Sequence, residues 1–343
     1  MGDGNVARRA AGLRLVLVAG AIACSFSSLT ACTRAPETRG ARAAWTPPRT
    51  AWGDPDLQGM WPIDKLNGTP LQRLESLGER RFLTDEEFAE RTKRLEGLNA
   101  RYDDEIKSHK MGIGHWAEMG QPNRLTSLIV EPANGRLPPL TAAGERISAT
   151  MKSSWSNIPF DSVADFNPLD RCITRGLPAS MFPFMYNSGV EIMQAPGYVV
   201  IRLELIHETR IIPLDGRPAL DPAIREWLGE SRGRFDGDTL VIETTNFNGE
   251  SPMTIVGPGG KPIPTSESLR LVERLTRVAA DRIDYELEVE DPVVLTQPWK
   301  AAFPLELDAK YRFFEYACHE DNSAIRNFIE TSRYERAHPK RAP

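Results

Sequence analysis

The side chains able to do acid–base chemistry are few. The chain has five histidines, His109, His115, His207, His319 and His338. Two of them precede carboxylates directly, in His207-Glu208 and His319-Glu320. An imidazole with a nearby acid can serve as a general base, so His207, Glu208, His319 and Glu320 form the candidate catalytic set. His207 has a second distinction. The odd positions from Val199 to Ile211 are Val, Ile, Leu or Thr except at His207, which places an imidazole on the apolar side of a strand. A buried imidazole left unpaired would cost roughly 1–3 kcal/mol. It is a core histidine bonded to a carbonyl or carboxylate, a pocket residue acting as a base or ligand contact, or, least favoured, a metal ligand. The even positions Arg202, Glu204, Glu208 and Arg210 alternate in charge and read as a solvated face, with Arg210 a candidate binding residue. Met181-Phe182-Pro183-Phe184-Met185-Tyr186 is an aromatic and methionine cluster. Phe184 and Tyr186 could line an apolar ligand cavity, and core packing is the alternative.

No complete nucleophile-and-base set can be read. G-x-S-x-G, P-loop, H-E-x-x-H and dinucleotide fingerprints are missing. Gly257-Pro258-Gly259-Gly260 lies in a proline-rich loop with no helix after it, which makes it a turn and not a phosphate cradle. Neither a cofactor nor a metal site is indicated.

The elements that must position these residues are mainly strands. A helix is predicted from Thr84, where Thr84 and Glu87 have capping-box spacing and Leu83 and Phe88 that of a hydrophobic staple. A second, short helix opens at Thr141. Ser127-Leu128-Ile129-Val130 followed by Asn134-Gly135 reads as a strand entering a tight turn. From about residue 185 the period is two. Val199–Ile211 reads as one strand, and Phe235-Asp236-Gly237-Asp238 as a hairpin turn. Leu269–Val278, Ile283–Val289, Phe303–Leu307 and Tyr311–Cys318 read as further strands. No helical crossover divides the later strands, which favours an antiparallel barrel or sandwich, lipocalin-like in general shape, with a small N-terminal helical segment.

The N-terminus carries Arg8, Arg9 and Arg14, then the apolar run Leu15–Ala23, too short for the about 20 apolar residues a span requires and fitting a signal peptide. Leu29-Thr30-Ala31-Cys32 resembles the lipobox of bacterial lipoproteins, which implies diacylation of Cys32 and cleavage before it. Cys24 is a weaker rival, and an ordinary secretory signal is the alternative. Thr33 is not Asp, which by the enteric sorting rule implies the outer membrane, facing the periplasm. The expected organisation is signal peptide 1–31, tether 32–53, an N-terminal extension with helices over 54–160, and an antiparallel β domain over 161–335. The bilayer is then a partner through acylated Cys32. A net charge of -5 implies no nucleic acid.

With Cys24 removed and Cys32 acylated, Cys172 and Cys318 remain as a pair in an oxidising compartment. A bridge would close a loop of about 146 residues, contributing up to roughly 5 kcal/mol in the chain-entropy model. Two free buried cysteines are the alternative. A bridge would also bring Arg171 and Arg175 near His319 and Glu320, as an anion-binding cluster or as a structural Arg171–Glu320 ion pair.

Five stretches together resemble the recurring motifs of a large group of exported bacterial proteins. They are Ser127–Pro132, Gly135–Thr141, His207–Pro218, Gly237–Val241 and Tyr316–Glu320. The resemblance covers about residues 120 to 325. It implies export and a single β-rich domain, and it brings no activity with it. Two functions stay open: a lipid-anchored protein binding a small, partly apolar molecule in a β-barrel cavity, or a cofactor-independent hydrolase, lyase or isomerase using His and Glu.

Overall fold

The computed structural model describes residues 45–110, 112–154, 159–254, 262–320 and 322–339. The signal peptide, Cys32 and most of the expected tether fall outside the described residues, as does the Gly257–Gly260 turn. Trp45 onward belongs to one compact unit.

The unit is mainly β, with two antiparallel sheets and three helices. The first sheet has the order β1 (Gly59–Met60), β3 (Val190–Ala195), β4 (Tyr198–Leu203) and β5 (Thr209–Pro213). The second has the order β2 (Ile129–Glu131), β12 (Trp299–Glu306), β11 (Arg282–Glu290), β10 (Arg270–Ala279), β7 (Thr239–Thr245) and β6 (Glu230–Asp236). A small pair, β8 (Pro252–Thr254) and β9 (Ile263–Pro264), stands apart. Each large sheet ends in edge strands, so neither closes into a barrel among the described residues. One apolar cluster draws on both sheets, with Ile192, Val199 and Ile201 from the first and Leu240, Leu271, Leu275, Ile283 and Leu287 from the second.

Alternation explains the second sheet. In β11, Ile283, Tyr285, Leu287 and Val289 are buried while the acidic positions between them face outward. Gly237, at φ +60°, turns β6 into β7. The N-terminal extension is woven into the same structure, because β1 pairs with β3 and β2 with β12. The boundary at 160/161 therefore separates no two cores.

Helix α1 (Asp85–Lys107) starts at the Thr84 capping box, with both reciprocal bonds formed. Helix α2 (Ala142–Thr150) is capped by Thr141, which accepts the Gly144 N–H. Helix α3 (Ala324–Ala337) was not expected. Its Phe328 meets Phe160 and Phe166 edge-on at 5.4 and 6.0 Å.

The main departure lies between Val199 and Ile211. This is not one strand but a hairpin, β4 folding onto β5 with Arg202 opposite Thr209. A single 3-10 turn, Leu205–His207, joins them, with Ile206 at φ +60° and His207 at φ +46°. Left-handed backbone is rare for a β-branched residue, and no Gly, Asn, Asp or Pro marks the turn. The reversal resets the alternation. Glu204, Glu208 and Arg210 are buried, whereas His207, Thr209 and Ile211 are exposed.

Candidate functional site

Two buried carboxylates follow from that turn. Glu204 accepts from four donors: Asn187 Nδ2 (3.0 Å) and the Phe314 N–H (2.9 Å) at Oε1, the Gly189 N–H (3.2 Å) and the Tyr311 hydroxyl (2.7 Å) at Oε2. Glu208 faces the other way. Its Oε1 accepts from the Thr174 hydroxyl (2.5 Å) and the Arg175 N–H (2.7 Å). Burial holds the Glu208 carboxyl above the ordinary glutamate value, against the opposing pull of the Ser180 and Thr174 hydroxyls, the Arg175 N–H and the Arg175 charge.

The Tyr311 hydroxyl also lies 2.6 Å from Oε1 of Glu118. A tyrosine has one hydroxyl proton, so it can donate to only one of the two carboxylates. Two contacts this short need a second proton. Of the two acids, Glu118 is the one whose carboxyl burial raises above the ordinary value, against opposing bonds from Tyr311 and Ser188. A proton held there would be donated to the Tyr311 oxygen, leaving the phenol to donate to Glu204. Burial, followed by the two flanking carboxylates, raises the Tyr311 phenol and keeps it protonated. The gap between the two acids is filled by the phenol, so no scissile bond could lie between them as in a glycosidase.

This chain of acids forms the floor of a cleft of about 640 Å³, lined by His115, Trp116, Glu118, Tyr186, Asn187, Glu204, Phe314 and Tyr316. Trp116 and Phe314 are 57% and 63% exposed, large aromatic surface that water meets directly. Tyr186 stands edge-on to Phe184 at 4.9 Å. Burial, then the neighbouring Tyr186, raises the Tyr316 phenol. No Lys or Arg lines the cleft.

One wall is the extended segment Tyr311–Cys318, which joins no sheet, contrary to the strand expected there. It is fixed at four points: Tyr311 and the Phe314 N–H on Glu204, the Tyr316 carbonyl on His207 Nδ1 at 2.9 Å, and the Cys172–Cys318 disulfide with Cα atoms 5.6 Å apart. Gly189 makes room below. A Cβ there would lie 2.6 Å from Glu204 Oε2 and 2.9 Å from both the Tyr311 and Phe313 rings.

The structure separates most of the residues singled out from the sequence. His207 is exposed and holds the wall from outside; it does not line the cleft. Glu208 is adjacent in sequence but points inward, so the two form no acid–base pair. His319 and Glu320 are exposed, and Arg171 makes no ion pair with Glu320. The disulfide forms, yet Arg175 turns away from His319. Its guanidinium is buried, donates to the Phe182 carbonyl at 2.8 Å, stacks over Phe184 at 4.6 Å, and is pulled down to about 10 by burial. Arg210 is not on a solvated face. It makes a buried two-pronged bond to Glu273, which also accepts the Tyr285 hydroxyl at 2.8 Å. Of the aromatic pair, Tyr186 lines the cleft and Phe184 supports it from behind. Glu118, Glu204, Tyr311 and Trp116 were missed. The one local sequence signal was the aromatic density of Tyr311–Tyr316.

Two other openings offer less. The one of about 890 Å³ beside β5 and β6 is lined by Arg217, Arg225 and Arg232, each paired with an acid. The one of about 260 Å³ holds Lys65 and Glu306, bonded to each other at 2.8 Å. Among the described residues no group of three His, Cys, Asp or Glu side chains could hold a metal ion, and no helix is long and apolar enough to cross a membrane. The chain matches no protein-family model, no curated protein and no solved structure.

Proposed function

We propose that the protein is an envelope lipoprotein, anchored through Cys32, that binds a small, partly apolar molecule in the aromatic cleft. The observation that carries the binding reading is the cleft itself: four aromatic rings over a floor of preorganised carboxyls, with its wall stapled in place. Pockets of this size, apolar with few convergent polar groups, are the usual form of small-molecule sites. The scaffold is read as a sandwich of two sheets, since one apolar cluster draws on both. The ligand therefore sits at the edge of the fold and not in a barrel. The anchor and the periplasmic location rest on Leu29-Thr30-Ala31-Cys32 and accord with a disulfide, which persists in oxidising compartments.

A thermal-shift screen of small aromatic and aliphatic amines, alcohols and acids tests the binding reading. Compounds should raise the melting temperature of the wild type and lose that effect in Trp116→Ala. Equal shifts in both proteins would place binding elsewhere. For the anchor, mass spectrometry of the mature N-terminus should show an acylated Cys32, and Cys32→Ser should release the protein from the membrane fraction.

The shared proton supports a second reading, acid–base catalysis by Glu118 through Tyr311. It requires turnover of some substrate that Tyr311→Phe abolishes with the fold retained.

A further inference from the structure

Resting on the binding reading above, we infer that the cleft takes an organic cation, an ammonium group on a small apolar body, in exchange for the proton that Glu118, Tyr311 and Glu204 share. The sign of the lining comes first. Its charged side chains are Glu118 and Glu204, with His115 the one nearby imidazole, and neither Lys nor Arg answers them. An anion would find nothing to pair with. A neutral sugar-like molecule would need donors as well as acceptors. Most donors here are already committed: Asn187 Nδ2 and the Tyr311 hydroxyl serve Glu204, and Tyr316 lies against Tyr186, which leaves the exposed Trp116 indole N–H at the rim.

The rings supply the second half. Trp116, Tyr186, Phe314 and Tyr316 offer faces whose negative quadrupoles attract a cation, and tryptophan is the best of the natural rings for this. Glu118 supplies the third. Glu204 accepts from four donors, whereas Glu118 is answered by Tyr311 and Ser188 alone among the described residues and lines the cleft directly.

The charge balance follows. Glu118 is faced by Tyr311 from the wall, by Glu204 beyond that phenol, by Asp64 from the turn after β1 with Lys65 beside it, and by His115 on its own loop. A positive ligand beside it favours the ionised carboxyl. The cation enters, the Glu118 proton leaves to solvent, and the net charge of the site is unchanged, with Glu204 ionised throughout. Tyr311 keeps its proton and continues to donate to Glu204.

The test uses the mature full-length protein with choline and its neutral isostere 3,3-dimethylbutan-1-ol as probes, by isothermal titration calorimetry. Choline should bind at least about tenfold tighter, the size expected of roughly 1.4 kcal/mol from ring faces and a carboxylate. Heats measured in buffers of different ionisation enthalpy should show up to one proton released per choline bound. The release should fade as pH rises and Glu118 ionises beforehand. Glu118→Gln should abolish the proton release and lower choline affinity about tenfold. Trp116→Ala, at an exposed position that leaves the core untouched, should lower it by a similar factor. Equal affinity for the two probes would overturn the cation inference and leave small-molecule binding standing. No binding of either probe, or of any compound in the thermal-shift panel, would overturn both. Tight choline binding without proton release would overturn the exchange.

Discussion

At Tyr311 a single phenol oxygen stands within hydrogen-bonding distance of two glutamates. Tyr311→Phe deletes the bridge and leaves both acids short of a partner. A loss of about 1–3 kcal/mol is expected, seen as a lower denaturation midpoint. Gly189→Ala should act from the other side. Its Cβ would press on Glu204 and two rings, and overpacking of this kind costs about 1–3 kcal/mol. Ligand-induced stabilisation should fall in both variants. Titration gives a third expectation. Burial raises Glu118 above the ordinary value of 4.5, so in the window above that value the folded state binds a proton the unfolded chain releases. Its contribution is fully present below 4.5 and is lost as pH rises through the folded value. Glu118→Gln stays neutral throughout. The variant's melting temperature relative to wild type should therefore climb between pH 4 and pH 8, a range chosen to bracket roughly that window. A constant difference would mean that Glu118 does not titrate there. None of these residues was legible beforehand. Glu118 and Tyr311 are 193 positions apart, and nothing local in either stretch announces the other.

The β4–β5 hairpin is the element on which the site depends, and it is where alternation misled. Paired residues share a face, and here they differ by an odd number, Ile201 with Arg210 and Arg202 with Thr209, so a period of two counted straight through a turn lacking Gly, Asn, Asp and Pro assigns β5 to the wrong face. The faces then exchange, so the charged set Glu204, Glu208 and Arg210 goes inside and His207 outside. Left-handed backbone at Ile206 is an outlier held by its surroundings, and such strain gathers where structure serves function. By contrast, α1 and the β6–β7 hairpin were legible, because a capping box and an Asp-Gly turn are local signals. The wall segment was read as a strand because its aromatic residues resemble one; it is held instead by side chains and the disulfide. That bridge closes a 146-residue separation, for which the chain-entropy model gives about 5 kcal/mol. Cys318→Ser should lower the melting temperature and weaken cleft binding more than His207→Ala does. His207 loses only one exposed bond to the Tyr316 carbonyl, about 1 kcal/mol or less.

Among the described residues, the two large sheets share one apolar cluster and a buried ionic contact. Arg210 from β5 and Glu273 from β10 meet with both side chains almost wholly enclosed, 2% and 1% exposed. Ser231 and Thr244 hydroxyls sit within 3.2 and 3.3 Å of the guanidinium. Removing one partner of a buried pair leaves a bare charge, so Glu273→Gln should cost about 3–5 kcal/mol, read as a shift in the urea midpoint. The paired change Arg210→Met with Glu273→Leu should recover most of it. The mainly β, antiparallel class was legible from periodicity. Closure was not, because whether the sheets end in edges or meet is decided by strand pairing far apart in sequence. On the binding reading, the molecule's working surface is the aromatic cleft over Glu118 and Glu204. Protein-observed NMR during titration with choline tests it most directly. Shifts should concentrate on the Trp116 indole and on the Ser188, Gly189 and Phe314 amides, saturating along one common curve. Shifts centred on Arg217, Arg225 and Arg232 beside β5 and β6, with the Trp116 indole unmoved, would contradict it.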